Sequence, residues 1–96
     1  MEYLLKNGQV FTEDRFQNVD ILLRDGRIAA VGEGVSSGGA VSMDLGGAFV
    51  FPGLVDVHVH LREPGFSYKE TIAAGTLAGA RGGYAHLGTM PNLNPV

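Results

Sequence analysis

The sequence predicts an α/β chain made of two unlike parts: a small antiparallel β unit over residues 1–51, then the first βαβ unit of a parallel sheet over residues 52–96. Three observations predict it. Short apolar runs separated by glycines fill the first part, and Asp25-Gly26 lies between two of them. An Asp-Gly pair flanked by such runs signals a two-residue type I′ hairpin. After Pro52-Gly53 the order becomes strand, loop, helix, strand, as in a βαβ crossover. The run from Leu54 to Arg62 alternates apolar and polar residues with the period of two that a strand requires.

Taken in order, strands are expected over residues 3–11, 19–24, 27–31, 41–45 and 48–51, with Ser36-Ser37-Gly38-Gly39 as an exposed loop. A further strand follows over 54–61, then a turn at Pro64-Gly65. Ser67-Tyr68-Lys69-Glu70 fits the S-x-x-E capping box, so a helix is expected to begin near Tyr68. Ile72, Leu77 and Ala80 fall toward one face of it. Ala73, Gly75 and Gly79 cost helix propensity but allow close approach to a sheet, and Gly82-Gly83 ends the helix. The last strand, 84–89, runs into Met90-Pro91-Asn92. The 15 glycines cluster at these connections and follow no fixed repeat.

Composition narrows the function classes. Net charge is −3 and no run of like charge occurs, which gives nucleic acid or an anionic membrane no purchase. No apolar run approaches the roughly 20 residues of a membrane span, and Glu2 and Lys6 interrupt the start too early for a secretory signal. The expected location is the cytoplasm. With no cysteine, any metal must be held by His, Asp or Glu.

The chemistry concentrates on the strand over 54–61. Continued to residue 62, its alternation places Asp56, His58, His60 and Arg62 on one face and Val55, Val57, Val59 and Leu61 on the other. Neutral imidazole ligates zinc well, and two on one face can share an ion that keeps open positions. Spacing alone leaves two readings open: half of a metal site, or two histidines bonded to backbone inside a core. The pair and Met90-Pro91-Asn92 both fall at the carboxyl ends of neighbouring parallel strands, the edge where α/β sheets and barrels bind ligands. A (β/α)8 barrel needs roughly 250 residues. Two strands and a helix are only its opening, so the chain reads as the start of a longer enzyme.

The string Pro-Gly-Leu-Val-Asp-Val-His-Val-His-Leu-Arg-Glu-Pro-Gly over residues 52–65, followed by Met-Pro-Asn-Leu-Asn-Pro over 90–95, resembles the dihydroorotases of the amidohydrolase superfamily, in particular the bacterial type with an N-terminal β unit. The resemblance implies the truncated start of a metal-dependent (β/α)8 TIM barrel preceded by a β-sandwich portion, with two zinc ions in the complete site. It implies reversible interconversion of L-dihydroorotate and N-carbamoyl-L-aspartate in pyrimidine biosynthesis. By the same resemblance, His58 and His60 bind metal, Arg62 and Asn92 bind the substrate carboxylate, and Asp56 orients the strand or a ligand. The bridging carboxylate, two further histidines and the general-base aspartate are expected beyond residue 96, so no catalytic residue lies within the chain and the segment alone is expected to be inactive. His86 stands where a small residue is commoner. Implied partners are the small-molecule substrate and, for the whole protein, a second copy or an aspartate transcarbamoylase. Arg62 argues against an allantoinase, which tends to carry Asn there, and against the hydantoinase and dihydropyrimidinase group. Retention of both histidines argues against a non-catalytic dihydroorotase-like partner protein.

Overall fold

A computed structural model describes residues 1–96. The chain divides into two compact units, Met1–Pro52 and Gly53–Val96. In chain order the elements are β1 (Tyr3–Thr12), β2 (Arg15–Arg24), β3 (Arg27–Gly32), β4 (Val41–Asp44), β5 (Phe49–Val50), β6 (Leu54–Val59), α1 (Ile72–Arg81) and β7 (Tyr84–Thr89).

The first unit is one five-stranded sheet in the order β3-β2-β1-β4, with β5 also against β1. It differs from the antiparallel unit expected: β1, β2 and β3 form antiparallel hairpins, but β4 and β5 both pair with β1 in parallel. After β3 the chain crosses to the far edge of β1 and runs along it in the same direction. A bulge in β1 lets two short strands share that edge. The β1–β2 register shifts between Leu5 and Gly8, and Asn7 is left-handed with φ 57°. β4 pairs with Tyr3–Lys6, the chain turns, and β5 resumes at Gln9 and Val10. Asn7 anchors that turn, its carbonyl accepting from the Gly47 N–H at 2.7 Å. Gly8 makes room for it: a Cβ there would stand 2.8 Å from Leu45 Cδ1. Within these residues the β-sandwich portion is a single sheet layer.

Asp25 and Gly26 are left-handed, φ 50° and 72°, as a type I′ hairpin demands. A second tight hairpin turns at Glu13-Asp14, φ 51° and 61°, and pairs Thr12 with Arg15 where the sequence suggested a longer connection. Neither residue is a glycine, and only Asp14 is of a type that tolerates a left-handed backbone readily. Cross-strand packing supports it instead: Phe11 and Phe16 are register partners with ring centroids 5.3 Å apart, edge to face, and Phe49 meets Phe16 at 4.9 Å.

In the second unit β6 and β7 are parallel and α1 crosses between them, packing on β7. The helix begins at Ile72, four residues later than the capping box suggested. Thr71 is the N-cap, its side chain accepting from the Ala74 N–H at 3.1 Å, while Glu63 Oε2 accepts from the Ile72 N–H at 2.8 Å. The stretch 66–69 is committed to turns, with Phe66 N–H donating to the Arg62 carbonyl and Lys69 N–H to that of Phe66. A carboxylate from nine residues upstream thus takes the place of the local capping pair.

The buried apolar residues are Leu4, Val10, Ile21 and Leu22 in the first unit and Leu61 in the second. Of the apolar row expected on β6, Val55 and Val57 stay exposed, because the one helix of this unit packs on β7. No helix is long and apolar enough to cross a membrane.

Candidate functional site

The candidate residues lie at the carboxyl ends of β6 and β7 and on the segments that follow. Two backbone bonds stitch these segments together: Met90 N–H to the Val59 carbonyl at 2.9 Å and Asn94 N–H to the Pro64 carbonyl at 3.3 Å. Gly65, at φ 93°, lies against Asn94 so closely that a Cβ would collide with its backbone. The chain needs glycine there on both counts.

His58 is exposed and His60 half-buried. Their rings meet edge to face, centroids 5.4 Å apart and planes at 73°. Asp56 Oδ1 accepts from the His58 backbone N–H at 2.9 Å, so its carboxylate acts on the strand backbone next to the pair. The β6–β7 register is irregular between Asp56 and Val59, the stretch that carries His58. His60 Nδ1 lies 2.7 Å from Asn92 Oδ1, across 32 residues of sequence.

The strand expected to run through Leu61 ends at Val59, and Arg62 is left-handed with φ 64°. The period-two row therefore does not reach Arg62. The chain has to turn back toward Phe66 and the start of α1, and a left-handed residue starts that reversal. The structure thus brings His58, His60 and Asn92 together and sets Arg62 off the row, at the head of the next loop. His86 sits on β7 in register with Val55, exposed and apart from the pair. Sequence spacing missed the His60–Asn92 bond, because no local period links residues on two different strands. Their shared position at neighbouring strand ends was the available signal.

The separation of the two rings leaves room for a shared metal. Two imidazoles on one tetrahedral zinc, at about 2.0–2.1 Å per nitrogen, place their ring centroids about 5 Å apart. The observed separation is 5.4 Å. No cluster of three or more His, Asp or Glu able to hold a metal is present, so these residues do not form a closed site by themselves.

A family model described as dihydro-orotase-like matches residues 47–96. Dihydroorotases of Bacillus thuringiensis (strain Al Hakam) and Bacillus cereus (strain B4264) are each 50% identical over 97 residues, covering 100% of this chain and 23% of their own length. The chain therefore spans about a quarter of the curated relatives it matches. Among solved structures, the L-hydantoinase (dihydropyrimidinase) of Arthrobacter aurescens superposes with a TM-score of 0.87 at 32% identity, over 97% of this chain and 21% of that one. A D-hydantoinase gives 0.79 at 36% identity, over 91% and 19%. Two histidines side by side at a parallel strand end, an asparagine from the neighbouring strand end against one of them, and this likeness in sequence and shape lead to one conclusion: the chain belongs to the dihydro-orotase-like family of amidohydrolases.

Proposed function

We propose that this chain supplies the first two metal ligands and the substrate-carboxylate contacts of a zinc-dependent dihydroorotase. The enzyme opens the ring of L-dihydroorotate with water to N-carbamoyl-L-aspartate and closes it again with loss of water. The observation that carries the reading is the triple juxtaposition of His58, His60 and Asn92 at the ends of β6 and β7. The half-identical dihydroorotases support the choice of reaction.

His58 and His60 would hold the metal. When bound, zinc supplies a Lewis acid for the ring carbonyl and a nucleophile at neutral pH. The residues of this chain then bind and orient. Arg62 offers a planar, permanently charged fork that matches a carboxylate with two parallel hydrogen bonds, which a lysine cannot reproduce. Asn92 adds an uncharged donor through its amide nitrogen. Asp56, bonded to the His58 backbone, steadies the strand that presents the imidazoles. The general acid–base group is left to the remainder of the protein.

The hydantoinase neighbours, one with a TM-score of 0.87, favour a second reading, a cyclic amidohydrolase for uncharged rings. Arg62 separates the two, because dihydroorotate carries a carboxylate that hydantoin lacks. The full-length protein should hydrolyse L-dihydroorotate in preference to hydantoin, and Arg62→Met should raise KM for dihydroorotate far more than it alters turnover of an uncharged ring. Zinc content by atomic absorption should fall in His58→Ala. Preference for hydantoin, or unchanged zinc in that variant, would overturn the assignment.

A further inference from the structure

We propose that the Asn92 side-chain amide fixes the tautomer of His60, its Oδ1 holding the proton on Nδ1 so that Nε2 presents the lone pair to a metal. The inference rests on the reading of His60 as a ligand, and it makes Asn92 a positioning residue for the metal site as well as a candidate contact for substrate.

The Asn92 oxygen lies 2.7 Å from His60 Nδ1. An amide oxygen only accepts hydrogen bonds, so the ring nitrogen facing it must donate. A neutral imidazole has one proton to place; once it is on Nδ1, Nε2 is the acceptor and the nitrogen able to ligate. A histidine side chain free in water favours the opposite tautomer, with the proton on Nε2. Something must bias the ring, and a partner on the nitrogen that does not ligate is the usual device.

The amide is well placed to exert that bias. Backbone bonds on either side tie its segment down, Met90 N–H to Val59 and Asn94 N–H to Pro64, and the Leu93 N–H closes a tight turn on the Pro91 carbonyl at 2.8 Å. Val59 immediately precedes His60, so the strand carrying the ring and the segment carrying the amide are fastened to each other. The bond to His60 uses only the oxygen of the amide. The NH2 end remains a donor, and an anionic substrate would meet it there. One side chain would then link a metal ligand to the recognition of the carboxylate.

The test uses the metal-free full-length protein labelled with 15N-histidine, at about pH 8. Long-range 1H–15N correlations identify the protonated ring nitrogen, with His60 assigned by loss of its signals in His60→Gln. Wild type should show His60 protonated on Nδ1. Asn92→Ala should shift it toward Nε2 protonation and weaken zinc binding about 10–100-fold in chelator competition. Asn92→Asp keeps an acceptor and should preserve both the tautomer and most of the zinc affinity, while losing the NH2 donor and raising KM for dihydroorotate. Far-UV circular dichroism confirms that each variant is folded. Protonation of His60 on Nε2 in wild type, an unaltered tautomer in Asn92→Ala, or equal zinc loss in both Asn92 variants would overturn the proposal. A wild type that takes up no zinc would overturn the ligand reading, and the ring signals would still decide the tautomer.

Discussion

Asp44 shows how a single side chain ties the first unit to pH. Its Oδ1 accepts from the Gly46 N–H at 2.8 Å. That bond first, then a hydrogen bond from the Asn7 side chain, holds its carboxyl below the ordinary carboxylate value. A carboxyl depressed in the folded state contributes stability that is present above its unfolded pKa, about 3.9, and is lost as pH falls through the lower folded value. Asn in its place still accepts the Gly46 N–H but carries no charge. Urea midpoints should therefore place Asp44→Asn below wild type at pH 6, with the gap closing below about pH 4. A gap constant down to pH 2.5 would refute this account. Arg62 is the other instructive residue. The period-two pattern placed it in line with the histidines, yet its left-handed backbone belongs to the loop that leads to α1.

At the scale of elements, the βαβ unit depends on two glycines whose surroundings differ. A Cβ on Gly79 would meet Leu87 Cδ1 at 3.1 Å, the far end of a side chain that can rotate. Replacing a helical glycine with alanine gains about 0.8–1 kcal/mol of propensity. Gly79→Ala should therefore fall within about 1 kcal/mol of wild type. On Gly88 the same atom would stand 3.0 Å from Val57 Cα and 3.1 Å from its carbonyl carbon and oxygen, all backbone of the partner strand. Backbone in a paired strand does not give way cheaply, and Gly88→Ala should cost about 1–3 kcal/mol in urea denaturation. Equal effects at the two positions would contradict the packing described. The cap differs in kind. Thr71→Ala leaves the Ala74 N–H without its partner and should cost about 1 kcal/mol, while the Glu63 carboxylate continues to hold the Ile72 N–H.

For the molecule as a whole, the apolar exposure is the telling quantity. Only five apolar residues are buried, a single one of them in the second unit, while Ile28, Phe49, Val57 and Leu77 are each more than half exposed. An open apolar groove of about 290 Å³ in the first unit is lined by Val10, Ile21, Ile28, Val31, Val50 and Phe51 among others. Layers so thinly covered supply little hydrophobic stabilisation. With only the proposed His58–His60 pair and no third ligating group beside it, residues 1–96 alone should bind zinc weakly and show no chelator-sensitive turnover of L-dihydroorotate; measurable turnover would refute this.

Features that depend on neighbours along the chain were legible before any fold was known. The Asp25-Gly26 turn, the two strands of the βαβ unit and the meeting of His58 with His60 follow from backbone preferences and from a period of two, which act over a few residues. The Glu13-Asp14 hairpin lay outside that reach, since Asp14 alone, with no glycine beside it, is a weak turn signal and cross-strand aromatic packing favours the turn. So did the parallel seating of β4 and β5, the Glu63 cap and the hydrogen bond that sets Asn92 against His60. Each joins groups whose distance is set by strand register and crossover packing, and those become defined only when separate parts of the chain pair with one another.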